Sequence, residues 1–464
     1  MEPLILQNII DSFFRDNPNI FVNHHIDSYN NFFENGIKQI FKEKNPIQVL
    51  EGQEGEHFRY KYNLYLGGKT GDAIYYGKPI IYDENNTHFM YPNEARLRNM
   101  TYGMTIHYDV DVDFYLNDEM NDTMPTNPIE TIRLERIYLG RFPIMLKSKF
   151  CLLNRLSSAL CFELGECKND HGGYFIIDGK EKCIVSQEKF ADNMLYIRTD
   201  SSDVYSHVAQ IKSVSEDASK PIQNMFIRIV APNDVRSNNN IVVDIPNVRK
   251  PIPLFILMRA LGIESDKEII EYCLLDLEKY ESYIDLFIPS IHDAGMIFNQ
   301  DNAISYIGTL TKGKTQAHAL EILTNHFLPH IGEMNFNNKA YFLGYMVKEL
   351  LKVFTEENKP TDRDSFLFKR IEVPGNLLYD LFRQYFVLQQ SNIYQKIDKE
   401  YYYKTGSYQN DFTDLIKLNY KGFFFDRVIE NGFNKAFKGN WGSDAHNKKE
   451  GVVQDLNRLS YNSA

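Results

Sequence analysis

Apolar residues change their spacing twice along this chain, and that double switch limits it to folds in which strands and helices occupy separate stretches. Residues 3–17 and 27–43 carry apolar side chains at helical spacing, with Ile26, Phe32, Phe33, Ile37, Ile40 and Phe41 on the second stripe. Asp27 is the expected N-cap of that second helix. From about residue 57 to 214 the pattern alternates. FRYKYNLYLG, THFMYP, MTIHYDVDVDFYL and TIRLERIYLG mix β-branched and aromatic residues with polar ones, as half-buried strands do. Two more strands fall in 222–244 around the polar turn NDVRSNNN. Helical spacing returns over 252–262, 266–290, 315–330, 338–355 and 375–400. The tail from Phe437, rich in Gly, Asn and Lys, reads as a loop followed by a short amphipathic segment. The fold class is therefore α+β, and 464 residues call for two or three modules rather than one core.

One turn in the strand-rich part is specified sharply. In GECKNDHGGYFIIDGKEKCIVSQEK, residues 165–189, the apolar runs Tyr174–Ile177 and Cys183–Val185 flank Asp178-Gly179. An Asp-Gly pair favours positive backbone dihedrals, so a tight hairpin is expected. Lys180, Lys182, Gln187 and Lys189 surround it, and alternation puts Lys180 and Lys182 on one strand face. A rigid hairpin presenting cations and an amide suits a phosphate backbone better than a small metabolite. Arg141, Lys147, Lys149 and Arg155 precede it and extend the basic constellation.

Composition narrows the setting. No run of about 18 uncharged apolar residues exists, so no membrane span is expected. The first segment, MEPLILQNIIDSFF, has an acidic residue where a secretion signal needs basic ones, which favours a cytosolic, nuclear or viral-factory setting. The five cysteines, Cys151, Cys161, Cys167, Cys183 and Cys273, form no Cys-x-x-Cys pair, and Cys161, Cys167 and His171 have the wrong spacing for structural zinc. Reduced thiols and no metal ligands are expected. A net charge of −11 argues against autonomous tight binding to DNA but leaves room for local basic patches.

Three patterns compete for a chemical role. GTLTKGKT, Gly308–Thr315, satisfies the phosphate-loop pattern literally, with apolar AISYI before it. Chance produces such a match in roughly one chain of this length in fifty, and no strand ending in Asp follows to hold a metal. A nucleotide-binding protein using this loop is the alternative reading. Asp109, Asp111 and Asp113 alternate as a metal triad would, but an acidic solvent face with Val110, Val112 and Phe114 inward explains them as well. His24, His25, His318, His326 and His330 sit among apolar helical residues and suit packing rather than metal ligation.

The literal residues go further than the patterns. GGYFIIDGKEK with SQEK resembles the N-terminal half of the second-largest subunit of multisubunit DNA-dependent RNA polymerases, in its eukaryotic, archaeal and large-DNA-virus versions. HIDSYNNF (25–32), YPNEARLRNMTY (91–102), LGRFPIMLKSKFC (139–151), RALGI (259–263), FLPHIGEM (327–334), YFLGYM (341–346), DRDSFLFKR (362–370) and NRLSYNS (457–463) fall in the family's order. The resemblance implies an N-terminal helical segment at 1–19 and a β-rich protrusion domain at 20–193 and 372–432. An α+β lobe is inserted at 194–371, and a truncated fork region covers 433–464. It also implies that GNWGSDAHNKKEG is a fork loop near the RNA–DNA hybrid, with Asn440, Lys448 and Lys449 mobile and polar. Gln454, Asn457 and Arg458 would lie near the RNA strand.

On this resemblance the nucleic-acid-binding residues are Lys180, Lys182, Gln187, Lys189, Lys448, Gln454, Asn457 and Arg458, and none is catalytic. Mg²⁺ in the complete polymerase is held mainly by the largest subunit. The implied partners are that subunit, the remaining half of the second-largest subunit, other polymerase subunits, template DNA and nascent RNA. Family members continue beyond the Tyr-Asn-Ser step, so a split gene product, an intein-interrupted piece or a fragment is expected.

Overall fold

The computed structural model describes residues 3–17, 19–54, 57–83, 86–117, 127–200, 204–216, 222–232, 239–403, 412–444 and 448–460. Most of the turn NDVRSNNN (233–238), part of the fork-like loop (445–447) and the end of NRLSYNS (461–463) lie outside them.

Three helices open the chain: α1 (Pro3–Asp16), α2 (Asn23–Asn31) and α3 (Ile37–Lys44), with a π-helical turn at Phe32–Gly36 between the last two. Strands β1 (Ile47–Glu54), β2 (His57–Leu66), β3 (Ile74–Tyr76), β4 (Ile80–Tyr82) and β5 (Thr87–Phe89) follow, then α4 (Pro92–Leu97), β6 (Gly103–Leu116) and β7 (Glu130–Pro143). Helix α5 (Ser158–Glu163) precedes β8 (Phe175–Ile177), β9 (Lys180–Ile184) and β10 (Gln187–Phe190). Next come β11 (Leu195–Thr199), β12 (Tyr205–Ser213), β13 (Gln223–Val230), β14 (Ile241–Asp244) and β15 (Ile252–Pro253). Helices α6 (Leu254–Ala260), α7 (Asp266–Leu274), α8 (Glu281–Ile284), α9 (Ile288–Ala294), α10 (Gln300–Leu310), α11 (Gln316–Asn325) and α12 (Phe336–Phe354) succeed them. Strand β16 (Lys369–Glu372), helices α13 (Pro374–Tyr403), α14 (Thr413–Phe424) and α15 (Val428–Phe437), and strand β17 (Val453–Asp455) complete the series.

The chain divides into two compact units, Met1–Gln187 with Ile371–Ala464, and Glu188–Arg370. In the first, β6 is the centre of an antiparallel sheet: it pairs with β2 and β3 on one side and β7 on the other, and β1 extends β2. Helix α13 packs on α2, α14 and α15 and buries Leu377, Leu381, Phe382, Phe386, Ile393 and Ile397. Each such side chain contributes about 1.5–3 kcal/mol relative to exposure. In the second unit, β11 to β15 form an antiparallel sheet in sequence order. Every residue of α6 is buried, Arg259 included, whose guanidinium bonds Asp266 and the Ile297 carbonyl. Helix α12 packs against α7 and β12.

The α+β class stands, with local corrections. The second helix starts at Asn23, so Asp27 is an interior residue and not its N-cap; Val22 stands at that position without a side-chain cap. Residues 266–290 are not one helix. Leu275 turns left-handed at φ 65°, ending α7, and shorter pieces continue the same apolar spacing. Strand β1 and helices α10, α14 and α15 are additions to the sequence reading.

Candidate nucleic-acid interface

The hairpin forms where the Asp-Gly pair puts it. Asp178 and Gly179 hold φ of 50° and 78°, and Phe175 pairs with Lys182 and Ile177 with Lys180. The turn is seated against the segment after α4. A Cβ on Gly179 would come within 2.8 Å of Asn99 Cα. The Asp178 amide donates to Thr101 Oγ1, and that hydroxyl donates to Asp178 Oδ1, both at 3.1 Å. Strand β17 then adds to the open side of β9, with Val453 opposite Ile184, Gln454 opposite Cys183 and Asp455 opposite Lys182. Two basic groups far apart in sequence thus share one three-stranded sheet.

That sheet is held by a network that sequence reasoning missed. Arg96 Nη1 donates to both Glu166 oxygens at 2.8 and 2.9 Å, Nε reaches Glu181 at 2.9 Å and Nη2 donates to the Tyr174 hydroxyl at 2.8 Å. Arg458 donates to both Glu181 oxygens at 2.8 and 2.9 Å, to Asp170 at 3.2 Å and to Tyr174 at 3.0 Å. Tyr174 donates in turn to Asp170 at 2.7 Å. Burial pushes the Tyr174 phenol well up, and the Asp170 charge adds to the shift. Burial also raises Asp170 and Glu181, but this is outweighed. Bonds from Tyr174, the Gly172 amide and Arg458 hold Asp170 below its usual range, and Arg458 and Arg96 do the same for Glu181.

Carboxylates depressed in the folded state stabilise fully above their unfolded pKa, and that contribution is lost as pH falls through the folded value. Arg458→Gln removes part of the depression at Asp170 and Glu181. The variant should therefore lose less stability than the parent between about pH 5 and pH 2. For so exposed an arginine the difference should be about 1 kcal/mol, read from urea midpoints at both pH values. Equal losses would show that Arg458 is not coupled to these acids.

The eight expected contact residues have distinct settings. Lys182 Nζ is 2.6 Å from Asp455, so its charge is met inside the sheet, and Arg458 is met as described. Lys180 is exposed and has no ion pair among the described residues. Gln454 donates to the Gly451 carbonyl at 3.1 Å, Asn457 Oδ1 accepts from the Leu459 amide at 2.9 Å, and Gln187 donates to the Val185 carbonyl at 2.8 Å. Lys448 lies 3.9 Å from Glu450, and Lys449 pairs with Glu372 at 3.2 Å. Lys189 belongs to the second unit, on β10, and pairs with Asp192 at 3.4 Å. Of the preceding cations, Arg141 donates to the Thr101 carbonyl at 3.1 Å, Lys147 bonds the Asp170 carbonyl and Lys149 pairs with Glu34. Arg155 is exposed.

The acidic strand face is not a solvent face. Asp109 and Asp113 are 1% and 3% exposed. Asp109 accepts from Arg133 at 2.6 Å, Tyr75 at 2.9 Å and the Arg136 amide at 2.9 Å. Asp113 takes Thr131 at 2.7 Å and Lys69 at 2.9 Å, and Asp111 accepts from the Lys69 amide at 3.1 Å. These carboxylates face cations and hydroxyls of neighbouring segments, which suits structural pairing and not a metal. Among the described residues no group of three or more His, Cys, Asp or Glu is placed to hold one.

The phosphate-loop reading fails on geometry. AISYI lies inside helix α10, and Gly308 is in that helix's last turn, where the motif needs a strand and a free loop. Thr315 Oγ1 accepts from the His318 amide at 3.3 Å, capping α11. The histidines have packing roles: His326 meets Gln223 at 3.1 Å and His330 meets Ser213 at 2.7 Å. Burial lowers His25 to about 4, helped by neighbouring His24.

Comparison with known proteins points the same way. The model of a family described as "RNA polymerase beta subunit" matches residues 20–417. A DNA-directed RNA polymerase II subunit RPB2 of Schizosaccharomyces pombe is 31% identical over 98% of this chain and 38% of its own length. A DNA-directed RNA polymerase subunit Rpo2N of Methanothermobacter thermautotrophicus is 30% identical over 98% of this chain and 83% of its own length. The RNA polymerase II subunit 2 of Arabidopsis thaliana is 31% identical over 95% and 37%. The chain thus spans under two-fifths of the eukaryotic relatives it matches.

Proposed function

The chain belongs to the RNA polymerase beta-subunit family, and from that membership we propose that it builds one wall of the DNA cleft in a DNA-dependent RNA polymerase, as the N-terminal portion of the second-largest subunit. The observation that carries this is a family match running over most of the chain. In this reading the protrusion is 20–193 with 372–432, the lobe is 194–371 and the fork region is 433–464. Division of the chain into a discontinuous first unit and an inserted second one supports that assignment.

The reaction served is template-directed transfer of nucleotides to an RNA 3′ end, a two-metal phosphoryl transfer. Asp109, Asp111 and Asp113 do not fit the metals, because Arg133, Lys69, Tyr75 and Thr131 engage them. Mg²⁺ is then assigned to the largest subunit. The chain's own contribution is positional. Lys180, exposed at the hairpin, faces phosphate, while Lys182 and Arg458 fix the sheet that carries it. Lys189, Lys448, Gln187, Gln454 and Asn457 provide further sequence-blind polar contacts. Partners are the largest subunit, the rest of the second-largest subunit, other polymerase subunits, template DNA and nascent RNA. With eukaryotic polymerase II subunits among the relatives, a nuclear enzyme fits.

Two outcomes test this. The purified chain alone should extend no RNA primer on a template; synthesis by it would overturn the division of roles. A photo-crosslinking residue at position 180 should form adducts with DNA or RNA in a reconstituted elongation complex, and an adduct-free complex would remove the hairpin from the nucleic-acid path.

A further inference from the structure

Strand β1 buries an acid where its pattern calls for an apolar side chain. Alternation puts Glu51 on the same face as Val49, and the two are 1% and 0% exposed. Register places Val49 opposite Tyr62 and Glu51 opposite Tyr60, and α13 packs on β1. The Tyr401 hydroxyl of α13 lies 3.1 Å from the place a Cβ would take on Gly52, and the Tyr401 and Tyr60 rings meet at 6.3 Å. Yet Glu51 makes no hydrogen bond and no ion pair among the described residues, and its Oε1 and the Tyr62 hydroxyl are both buried without a partner. The groups that face it are Tyr60 and Tyr62 from β2, and Tyr394, Asp398 and Tyr401 from α13. Of the nearby cations, Arg59 lies over the Tyr60 ring, 5.6 Å from its centroid, and Lys396 pairs with Asp426 at 2.6 Å. Burial pushes the Glu51 carboxyl up to about 7, and the Asp398 charge adds to the shift.

We propose that Glu51 is a proton-operated latch: as a neutral acid it keeps the end of strand β1 seated on α13, and loss of its proton to solvent frees that end. A lone carboxylate in an apolar site is far costlier than the neutral acid. Once ionised, Glu51 also stands against the Asp398 charge. It regains water only by carrying its strand outward. Strand β1 is free to follow, because β2 is its one sheet neighbour among the described residues. The movement is local, since β1 is the edge of a sheet centred on β6. The direction with pH is fixed by the same burial. The unfolded chain sheds this proton in the ordinary carboxylate range, whereas the folded unit keeps it up to about 7. Stability is therefore untouched by Glu51 below the unfolded value and falls as pH rises from there through the folded one. This is the reverse of Asp170 and Glu181, whose contribution is lost on acidification.

The test compares the full chain with Glu51→Gln, which reproduces the neutral acid and cannot ionise. Urea unfolding is followed by the fluorescence of Trp441, in the same unit, at about pH 5 and about pH 8. Between these values the parent's folding equilibrium constant should fall about tenfold or more relative to the variant's. Parallel changes in the two chains would overturn the proposal. So would a variant that fails to fold at the higher pH, where it should be the more stable of the two. Asp398→Asn should move the midpoint of the parent's loss to lower pH, and an unmoved midpoint would overturn the opposition of the two acids. Hydrogen exchange gives the location. Corrected for its intrinsic pH dependence, exchange over 47–54 and 394–401 should quicken in the parent as pH rises through about 7 and stay level in Glu51→Gln. Quickening in both chains, or spread evenly over the first unit, would show that no latch sits at Glu51.

Discussion

Replacing Arg96 by alanine is expected to lower the unfolding free energy of the first unit by about 3–5 kcal/mol. The Arg96 side chain is 19% exposed and the Glu166 side chain it pairs with is 5% exposed, so removal leaves a buried carboxylate without its counter-charge. Glu181 and the Tyr174 hydroxyl each lose a donor in the same step. The loss can be read from urea unfolding followed by the chain's single tryptophan, Trp441, which is buried in the same unit. Arg96→Lys should fall between the two, because one ammonium cannot serve Glu166, Glu181 and Tyr174 as three guanidinium nitrogens do. A second readout is local. The Leu456 amide donates to the Glu181 carbonyl at 3.0 Å, and its hydrogen exchange should accelerate. A cost below about 1 kcal/mol would put Arg96 in the class of surface ion pairs.

Gly375→Ala should cost about 3 kcal/mol for a different reason. Helix α13 starts against α2 so closely that a Cβ on Gly375 would lie 2.0 Å from the Ser28 carbonyl oxygen and 2.4 Å from its carbon. Both atoms are backbone, so no rotamer change relieves the clash, and one helix must move. The Gly375 amide would then give up its bond to Ser28 Oγ, now 3.1 Å. Gly422→Ala, in α14 with nothing within 4 Å of the added carbon, is the control. Helix propensity alone predicts a gain there of roughly 0.5–1 kcal/mol. Equal midpoints for the two alanine variants would refute the close-contact argument.

Much of the fold is legible in the amino-acid sequence. Alternation locates β2, β6 and β7, the Asp-Gly pair locates the β8–β9 turn, and long apolar stripes locate α12 and α13. The failures share a physical origin. AISYI is too short for its period to separate helix from buried strand, and the glycines beyond it complete a false motif. Asp109 and Asp113 look like a solvent face because alternation is blind to what covers a central strand. Here Arg133, Lys69, Tyr75 and Thr131 do so. Charge matching is equally invisible along the chain. Lys182 and Arg458 read as free cations, yet Asp455 and Glu181 meet them through pairing of β17 with β9. The Arg96 network obeys none of the spacing rules, because its members come from four separate segments. Its one trace in the sequence is that Arg96 stands within YPNEARLRNMTY, a block of the family resemblance.

The pairing of β17 with β9 also sets an order of events during synthesis. The edge of β9 stays bare until residues 453–455 have been made, by which time Glu188–Arg370 has already emerged and has all the strands and helices of its own core. Domains generally fold as units as they appear, and long-range strand pairing comes late because its loop must close first. The interrupted unit is therefore the slow one. Its hairpin carries an unpaired edge throughout translation of the insert, and that edge is the place where a nascent chain of this kind is most exposed to pairing with a neighbour.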